Sequence, residues 1–246
     1  MSSADSDSVE PNAPAASPVR VGTALVAVGT AWIGLSVGLR ASPVDPSRLF
    51  ARSSVLGLYP GSAARLLDAD VVGVVTVAVG LCVIGLATLG RLGDGSSTTG
   101  APLRFRTAVG VSAVGFAAAV ATLPFGPPPG GPVAGPPVTE WLVEVRFLLA
   151  YVSLWLFPLG TASGRRRRAT AGAGIVVVPV AGIAFTLALL GSQAGLAVLV
   201  GFFVVGVSIA LIAVTAAYAF PLYLAGRLLG GRGAPEWLPT AWYRSA

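Results

Sequence analysis

Six long, uncharged, apolar stretches account for most of this chain, and they constrain its fold more than any other feature. A helix that crosses the roughly 30 Å hydrocarbon core of a bilayer needs about 20 apolar residues, and each stretch is of about that length. The stretches are Val21–Leu39, Val71–Gly90, Thr107–Leu123, Phe147–Gly164, Ala171–Leu190 and Leu196–Phe220. Lipid offers no partner to an unpaired backbone amide, so the stretches are expected to be helices. The sequence therefore predicts an all-α, polytopic integral membrane bundle of six transmembrane helices.

The composition leaves no room for a separate soluble domain. The chain is 54% hydrophobic and 11% charged, whereas a soluble domain carries about 25% charged residues. Residues 1–20 are rich in Ser, Pro and Ala and carry three acidic residues, which predicts a disordered N-terminal tail. We assign residues 21–226 to the transmembrane domain and residues 227–246 to a cytoplasmic tail that rests on the bilayer surface.

The arginines concentrate on one predicted side of the membrane. All 16 basic residues are arginine. The side that holds both termini has eleven: Arg20, Arg91, Arg104, Arg106, Arg165, Arg166, Arg167, Arg168, Arg227, Arg232 and Arg244. The other side has four, Arg40, Arg48, Arg52 and Arg65, while Arg146 falls at a helix boundary and is assigned to neither. Since cytoplasmic loops are enriched in basic residues, we expect a protein of the cell membrane with both termini in the cytoplasm.

Several kinds of chemistry are excluded by residues that the chain lacks. It has no histidine and no lysine, which rules out histidine-ligated haem, copper, zinc and di-iron sites. Catalysis by Ser-His-Asp, Cys-His or Ser-Lys groups is excluded as well, as is a phosphate-binding loop with its lysine. The single cysteine, Cys82, has no partner for an intrachain disulfide. We predict no catalytic, cofactor-binding or metal-ligating residue, no cofactor, and no enzymatic activity.

The start of the fourth stretch is the one place where ionisable residues approach a span. Glu140 and Glu144 share a helical face, and Arg146 points to nearly the opposite side. One interpretation is a polar pocket in which Glu144 or Arg146 binds a solute headgroup or passes a proton. The simpler interpretation places both charges among the lipid headgroups beside Trp141, because a helix that begins at Phe147 is already long enough to span. Exchange of Glu144 and Arg146 for Gln distinguishes the two.

The connections carry further predictions. Arg165–Arg168, in the link between the fourth and fifth stretches, are interpreted as a cytoplasmic stop signal that contacts anionic lipid headgroups, at about 1 kcal/mol per residue. A dedicated partner site is the alternative. Within the first connection, Arg40–Asp70, the run PSRLFARSSVLGLYP is either a short amphipathic helix in the interface or an ordinary loop packed over the helix ends. Seven prolines between Pro124 and Pro137 predict a stiff spacer.

Small residues predict how the helices pack. They line one face of the first, third and sixth stretches: Thr23, Ala27, Thr30, Gly34 and Gly38; Ala108, Ser112, Gly115, Ala119 and Thr122; and Gly206, Ala210, Ala213 and Ala217. Such faces let helix backbones approach closely, and they indicate either a compact bundle or a dimer interface. Pro158 and Pro179 are expected to kink their helices, and Pro221 to bend or end the sixth.

Two functions remain open. The first is a non-enzymatic accessory or scaffold subunit of a membrane assembly, favoured by the nearly uncharged spans and the small-residue faces. The alternative is a permease for a small or apolar solute, suggested by the helix prolines and by the Glu144–Arg146 region. The expected partners are the lipid bilayer and other membrane subunits. Nucleic acid is not expected, because the arginines behind the net charge of +6 are explained by their sorting across the membrane.

Overall fold

The computed structural model describes residues 17–41, 69–92, 102–122, 145–189, 209 and 212–232, and the regular structure within them is helical. In chain order the helices are α1 (Pro18–Ala41), α2 (Ala69–Thr88), α3 (Phe105–Thr122), α4 (Val145–Thr161), α5 (Arg165–Leu189), α6 (Ile212–Tyr218) and α7 (Phe220–Leu229). No β-strand occurs in these residues. The predicted all-α class is confirmed for this part of the chain.

Helices α1 and α2 run antiparallel and touch backbone to backbone. Gly22 on α1 faces Gly80 on α2, and Gly29 on α1 faces Gly73 on α2. A Cβ atom added to Gly29 would lie only 2.6 Å from the carbonyl oxygen of Gly73, and one added to Gly80 would lie 2.7 Å from that of Gly22. Glycine is required at these crossings because any side chain would separate the helices, and the close approach gains dispersion contacts along both backbones.

Helix α2 lies at the centre of the bundle, and α3 packs against it. Five of the seven valines of α2 are almost completely buried: Val71, Val72, Val75, Val79 and Val83. On α3 the buried residues include four of the five small residues predicted to form a packing face, Ala108, Ser112, Gly115 and Ala119, whereas Thr122 is exposed. A Cβ atom on Gly115 would lie 3.1 Å from the carbonyl oxygen of Val75. The predicted packing face of the third stretch is confirmed in these four residues.

Helix α4 packs against α3 on one side and against α5 on another. Its Phe147 ring packs edge-on against Phe116 of α3, with 5.6 Å between ring centroids. On another side, the Tyr151 hydroxyl donates a hydrogen bond of 2.7 Å to the carbonyl oxygen of Gly174 in α5. The Trp155 ring lies directly over the same glycine, in the space that a Cβ atom would need. Two aromatic side chains of α4 thus contact the same glycine of α5.

Helices α6 and α7 form a bent pair. They meet at an angle of 58° across a break at Ala219, immediately before Pro221, whose missing N–H interrupts the helical hydrogen bonds. The predicted bend at Pro221 is confirmed, but the predicted end of the sixth stretch at Phe220 is wrong, because helix α7 continues to Leu229. Helices α4 and α5 continue through Pro158 and Pro179, and their kinks stay predictions.

Three helices have the length and apolar composition of membrane spans: Pro18–Gly38, Asp70–Thr88 and Phe105–Thr122. The bent α6–α7 pair is a fourth candidate if it counts as one span. The apolar part of α4, Phe147–Thr161, is shorter. The described residues therefore support membrane-spanning character for three of the six stretches on these criteria.

Two of the predicted small-residue faces are exposed where the structure describes them. On α1, the face of Thr23, Ala27, Thr30, Gly34 and Gly38 is exposed, and a Cβ atom on either glycine would meet no atom within 4 Å. The helix packs instead through the adjacent face of Val21, Gly22, Leu25 and Gly29. On α6, Ala213 and Ala217 are also exposed, while Gly206 and Ala210 lie outside the described residues. Alanine and glycine are so frequent that these helices have small residues on more than one face. Which face is packed depends on the shape of the partner helix.

Candidate functional site: an arginine-rich end of the helix bundle

The alternating helix directions gather the arginines at one end of the bundle. The starts of α1, α3 and α5 and the ends of α2, α4 and α7 meet there. They carry Arg20, Arg91, Arg104, Arg106, Arg165, Arg166, Arg167, Arg168, Arg227 and Arg232, which we call the arginine end. These are ten of the eleven arginines that the sequence assigns to one side, and Arg244 lies outside the described residues. At the opposite end, Arg40 falls in the last turn of α1 and Arg146 in the first turn of α4.

Direct contacts join three helix ends into one unit. The backbone N–H of Leu103, just before α3, donates to the carbonyl oxygen of Leu229 at the end of α7 over 2.8 Å. Arg232, just after α7, reaches the end of α4, where Nη1 donates to the carbonyl oxygens of Ala162 at 2.9 Å and of Gly160 at 3.5 Å. The last carbonyls of a helix have no partner within it, and a cation there also complements the negative end of the helix dipole. Arg232 therefore caps α4 from a distant part of the sequence.

Two arginines of α5 bond to the same turn. Arg168 Nε donates to the carbonyl oxygen of Ala162 at 3.4 Å, and Arg167 Nη1 donates to Ser163 Oγ at 3.1 Å. The carbonyl of Ala162 thus accepts from the guanidinium groups of both Arg168 and Arg232. The two cations are drawn close to each other at the α4–α5 turn.

The predicted link of Arg165–Thr170 between the fourth and fifth stretches is wrong. The turn is made by Ala162, Ser163 and Gly164, and helix α5 begins at Arg165. Gly164 has φ of +89°, a conformation that glycine adopts without strain, and its carbonyl accepts the N–H of Arg168 over 3.3 Å. Hydropathy marks only where the apolar residues start, whereas arginine forms helix nearly as well as leucine, so the helix begins six residues before Ala171 and its first turn consists of the four arginines.

The arginine end is a region of concentrated positive charge. Arg165, Arg166, Arg167 and Arg168 are exposed, as are Arg104 and Arg106. The only carboxylate among the described residues is that of Asp70, which lies in the first turn of α2 at the opposite end. This charge distribution attracts anions, and it does so over about a Debye length, which is near 8 Å at physiological ionic strength.

The buried hydroxyl groups of the core are mostly satisfied within their own helices. Thr76 donates to the carbonyl oxygen of Val72 at 2.7 Å and Ser153 to that of Leu149 at 2.8 Å. Ser112 of α3 is fully buried, and its hydroxyl has no hydrogen-bond partner. The indole N–H groups of Trp32 and Trp155 are also buried without an acceptor. Within the described residues the core is thus apolar, with Ser112 as its unpaired hydroxyl.

The sequence-predicted pocket at the start of α4 is not tested by the structure. Glu140 and Glu144 lie outside the described residues, and only the backbone of Arg146 is described, as the second residue of α4. The cap formed by Arg232 was missed from the sequence, since nothing in the C-terminal tail indicates which helix end it would reach. Both interpretations of the Glu144–Arg146 region therefore stand.

Comparison with protein families, curated proteins and solved structures gives no match to this chain. Within the described residues, no three His, Cys, Asp or Glu side chains are grouped so that they could hold a metal ion. The helix packing and the arginine end are therefore the two features from which a function can be inferred.

Replacing Arg232 with alanine is expected to destabilise the protein by about 1.5–3 kcal/mol, the usual range for a hydrogen bond to a charged group. The change removes the cap from Gly160 and Ala162 and leaves their carbonyls without this donor. Thermal unfolding of the purified protein in detergent measures the effect. Arg91→Ala is the matched control because Arg91 is exposed beyond the end of α2. Equal melting temperatures for the two variants would contradict the capping role.

Proposed function

We propose that this chain is a six-span protein of the cell membrane that serves as a non-enzymatic accessory or scaffold subunit of a membrane assembly. The observation that carries the proposal is the exposed small-residue face of α1, formed by Thr23, Ala27, Thr30, Gly34 and Gly38. The adjacent face of the same helix receives α2 at backbone distance through Gly22 and Gly29. A helix of another subunit can dock on the exposed face by the same kind of contact.

The membrane placement rests on helix length and charge. Helices α1, α2 and α3 have the length and composition of spans, and in the proposed topology α4, α5 and the helix that ends in the α6–α7 pair supply the other three. With six spans, both termini lie on one side. The arginine end faces the cytoplasm in this arrangement, as the enrichment of basic residues in cytoplasmic loops favours.

A role in assembly rather than in catalysis is supported by the core. The described helices pack through valine side chains and glycine backbones, and the hydroxyls of Thr76, Ser153 and Thr161 are bonded to carbonyls of their own helices. Such a core leaves the outer faces of the helices for contact with partners. No histidine or lysine is present in the chain to act as a general base.

The proposal is tested by purification from native membranes with and without a leucine on the exposed face of α1. Gly34→Leu places a bulky side chain where a partner helix would dock, while the fold is unaffected because a Cβ atom there meets no atom within 4 Å. Gly110→Leu, on α3, is the matched control, since Gly110 is exposed and equally open. We expect the wild-type protein and the control to retain associated proteins, and Gly34→Leu to lose at least nine-tenths of them, roughly a tenfold change worth about 1.4 kcal/mol. Purification of the wild-type protein as a monomer without associated proteins would contradict the proposal.

A permease for a small or apolar solute is the second candidate. It is supported by Pro158 within α4, by the 58° bend before α7 and by the unpaired hydroxyl of Ser112, since bends permit movement and a buried hydroxyl offers a hydrogen bond. Vesicles reconstituted with the protein measure the flux. If a broad panel of solutes shows no flux above empty vesicles, this alternative is excluded.

A further inference from the structure

We propose that the arginine end is a binding surface for anionic lipid headgroups, recognised through their phosphate groups. The inference rests on the membrane placement proposed above. Its starting point is the number of exposed guanidinium groups that the fold brings together, chiefly those of Arg104, Arg106 and Arg165–Arg168. No carboxylate of the described residues lies at this end of the bundle, so the charge of these cations is not balanced within the described helices.

The position of the arginines at the starts of their helices makes the binding of an anion more favourable. Arg165–Arg168 form the first turn of α5, and Arg106 lies in the first turn of α3. The start of a helix is the positive end of its dipole, where cations are disfavoured and anions are bound. The residue before α5 is Gly164, which has no side chain to accept a hydrogen bond from the free N–H groups of the first turn. An anion at this position satisfies both the side chains and the backbone.

The depth of the arginines indicates a lipid rather than a dissolved anion. Arg168 is followed three residues later by the fully buried Ala171, and Arg106 is followed two residues later by the fully buried Ala108. At 1.5 Å per residue along a helix, the Cα atoms of these arginines lie within about 5 Å of the apolar part of the bundle, measured along the helix axis. In the proposed membrane placement this is the level of the headgroups, whose phosphates have the geometry for two parallel hydrogen bonds to a guanidinium.

The α4–α5 turn holds part of the surface in place. Arg167 and Arg168 are bonded to Ser163 and to the carbonyl of Ala162, and the same carbonyl is capped by Arg232. The side chains of Arg165 and Arg166 make no such contact with the described residues. They are exposed beside Arg167 and Arg168 and are the best placed to bind a headgroup.

The acidic N-terminal tail is the competing occupant. It joins α1 at the arginine end and carries Asp5, Asp7 and Glu10. Asp94 and Glu236, in segments that the sequence assigns to the same side, raise the number of carboxylates to five. Five carboxylates are still few against ten guanidinium groups, whereas a bilayer supplies headgroups at high density. The charge balance therefore favours lipid as the occupant, and the test below includes the tail as an outcome.

The experiment measures binding of phosphatidic acid to the purified full chain in a neutral detergent, with phosphatidylcholine and inorganic phosphate as comparison probes. Arg165→Gln combined with Arg166→Gln removes two exposed cations. Arg40→Gln combined with Arg48→Gln removes the same charge from the last turn of α1, at the other end of the bundle, and from the connection that follows it in the sequence. At roughly fivefold per arginine, the first pair is expected to weaken binding about 25-fold, and the second pair to leave it unchanged.

The same pair changed to lysine provides a check that does not depend on folding. Arg165→Lys with Arg166→Lys keeps the charge and loses the two-pronged guanidinium, so binding is expected to fall between the wild type and the Gln variant. Thermal unfolding should be the same for all variants, because Arg165 and Arg166 are both exposed. We expect phosphatidylcholine to bind much more weakly than phosphatidic acid.

Three results would overturn the inference. The first is equal binding of phosphatidic acid by the two Gln pairs, and the second is full displacement of the lipid by inorganic phosphate at the same phosphate concentration. The third is a gain of tenfold or more in lipid affinity when residues 1–16 are deleted, which would make the tail the occupant. A chain that stays in solution without detergent would instead refute the membrane placement itself, so the two failures are distinguishable.

Discussion

The Gly29→Ala variant is expected to unfold more easily than the wild type by about 1–3 kcal/mol. An added Cβ atom would lie 2.6 Å from the carbonyl oxygen of Gly73 and 2.9 Å from the backbone nitrogen of Val77. Both neighbours are backbone atoms, so the clash is relieved only if α1 and α2 move apart, which is the cost usually seen when a packed core is overfilled. Moving the helices apart would also weaken the contact between Gly22 and Gly80 in the same interface. The free energy of unfolding in mixed detergent micelles measures the change.

The control lies on the same helix. Gly34→Ala adds the same methyl group at a site with no atom within 4 Å. Alanine is favoured over glycine inside a helix by about 0.5–1 kcal/mol, so this variant should be equal to or more stable than the wild type. If Gly29→Ala and Gly34→Ala change stability alike, α1 and α2 do not cross at Gly29.

The Gly226→Ala variant is expected to have a comparable or larger effect, because the obstruction is more severe. A Cβ atom on Gly226 would collide with the carbonyl oxygen of Phe157 and would lie 3.1 Å from the Cα atom of Gly160. Helix α7 would have to leave α4, and the bond from Leu103 to Leu229 and the cap by Arg232 would weaken with it. We expect a loss of at least about 2–3 kcal/mol together with local release of α7.

Local release can be followed by trypsin, which cleaves after arginine. Cleavage after Arg227, which lies in the last turn of α7 and is only partly exposed, should become much faster in Gly226→Ala, since a helix that opens locally is cut in proportion to its open fraction. Cleavage after the exposed Arg165 should stay the same and serves as an internal reference. Gly172→Ala on α5, where no atom lies within 4 Å, is the matched control. A Gly226→Ala protein with the tryptic pattern of that control would show that α7 is not held by α4.

The positions of the first four helices were accessible from the sequence because helices that could cross a bilayer have a simple signature of length and composition. A run of about 20 uncharged residues is required to cross the bilayer, and the first four stretches agree with α1 to α4 to within three residues at either end. The fifth differed more at its start, since the helix begins at Arg165 rather than at Ala171. Charged residues end the apolar signal without ending the helix, which is why the connection was predicted too long.

Packing faces were predicted with less success. The face on α3 is correct because it is opposed by the valines of α2, whereas the face predicted on α1 is exposed. The sequence of α1 alone offers two faces with glycine, and nothing in it distinguishes Gly29 from Gly34. The choice is made by Gly73 and Gly80, whose spacing on α2 matches that of Gly22 and Gly29.

By itself, the sequence indicated a membrane environment, located the first four helices, showed which chemical groups the chain lacks and assigned most arginines to one side. These are properties of composition and order, and each can be read from one segment at a time. The tertiary structure decided which glycines carry the helix crossings, that Arg232 caps α4, and that the starts of α3 and α5 meet the end of α7 in one cationic surface. Those features depend on contacts between segments far apart in the chain, and such contacts are set by the mutual fit of two surfaces rather than by either sequence alone.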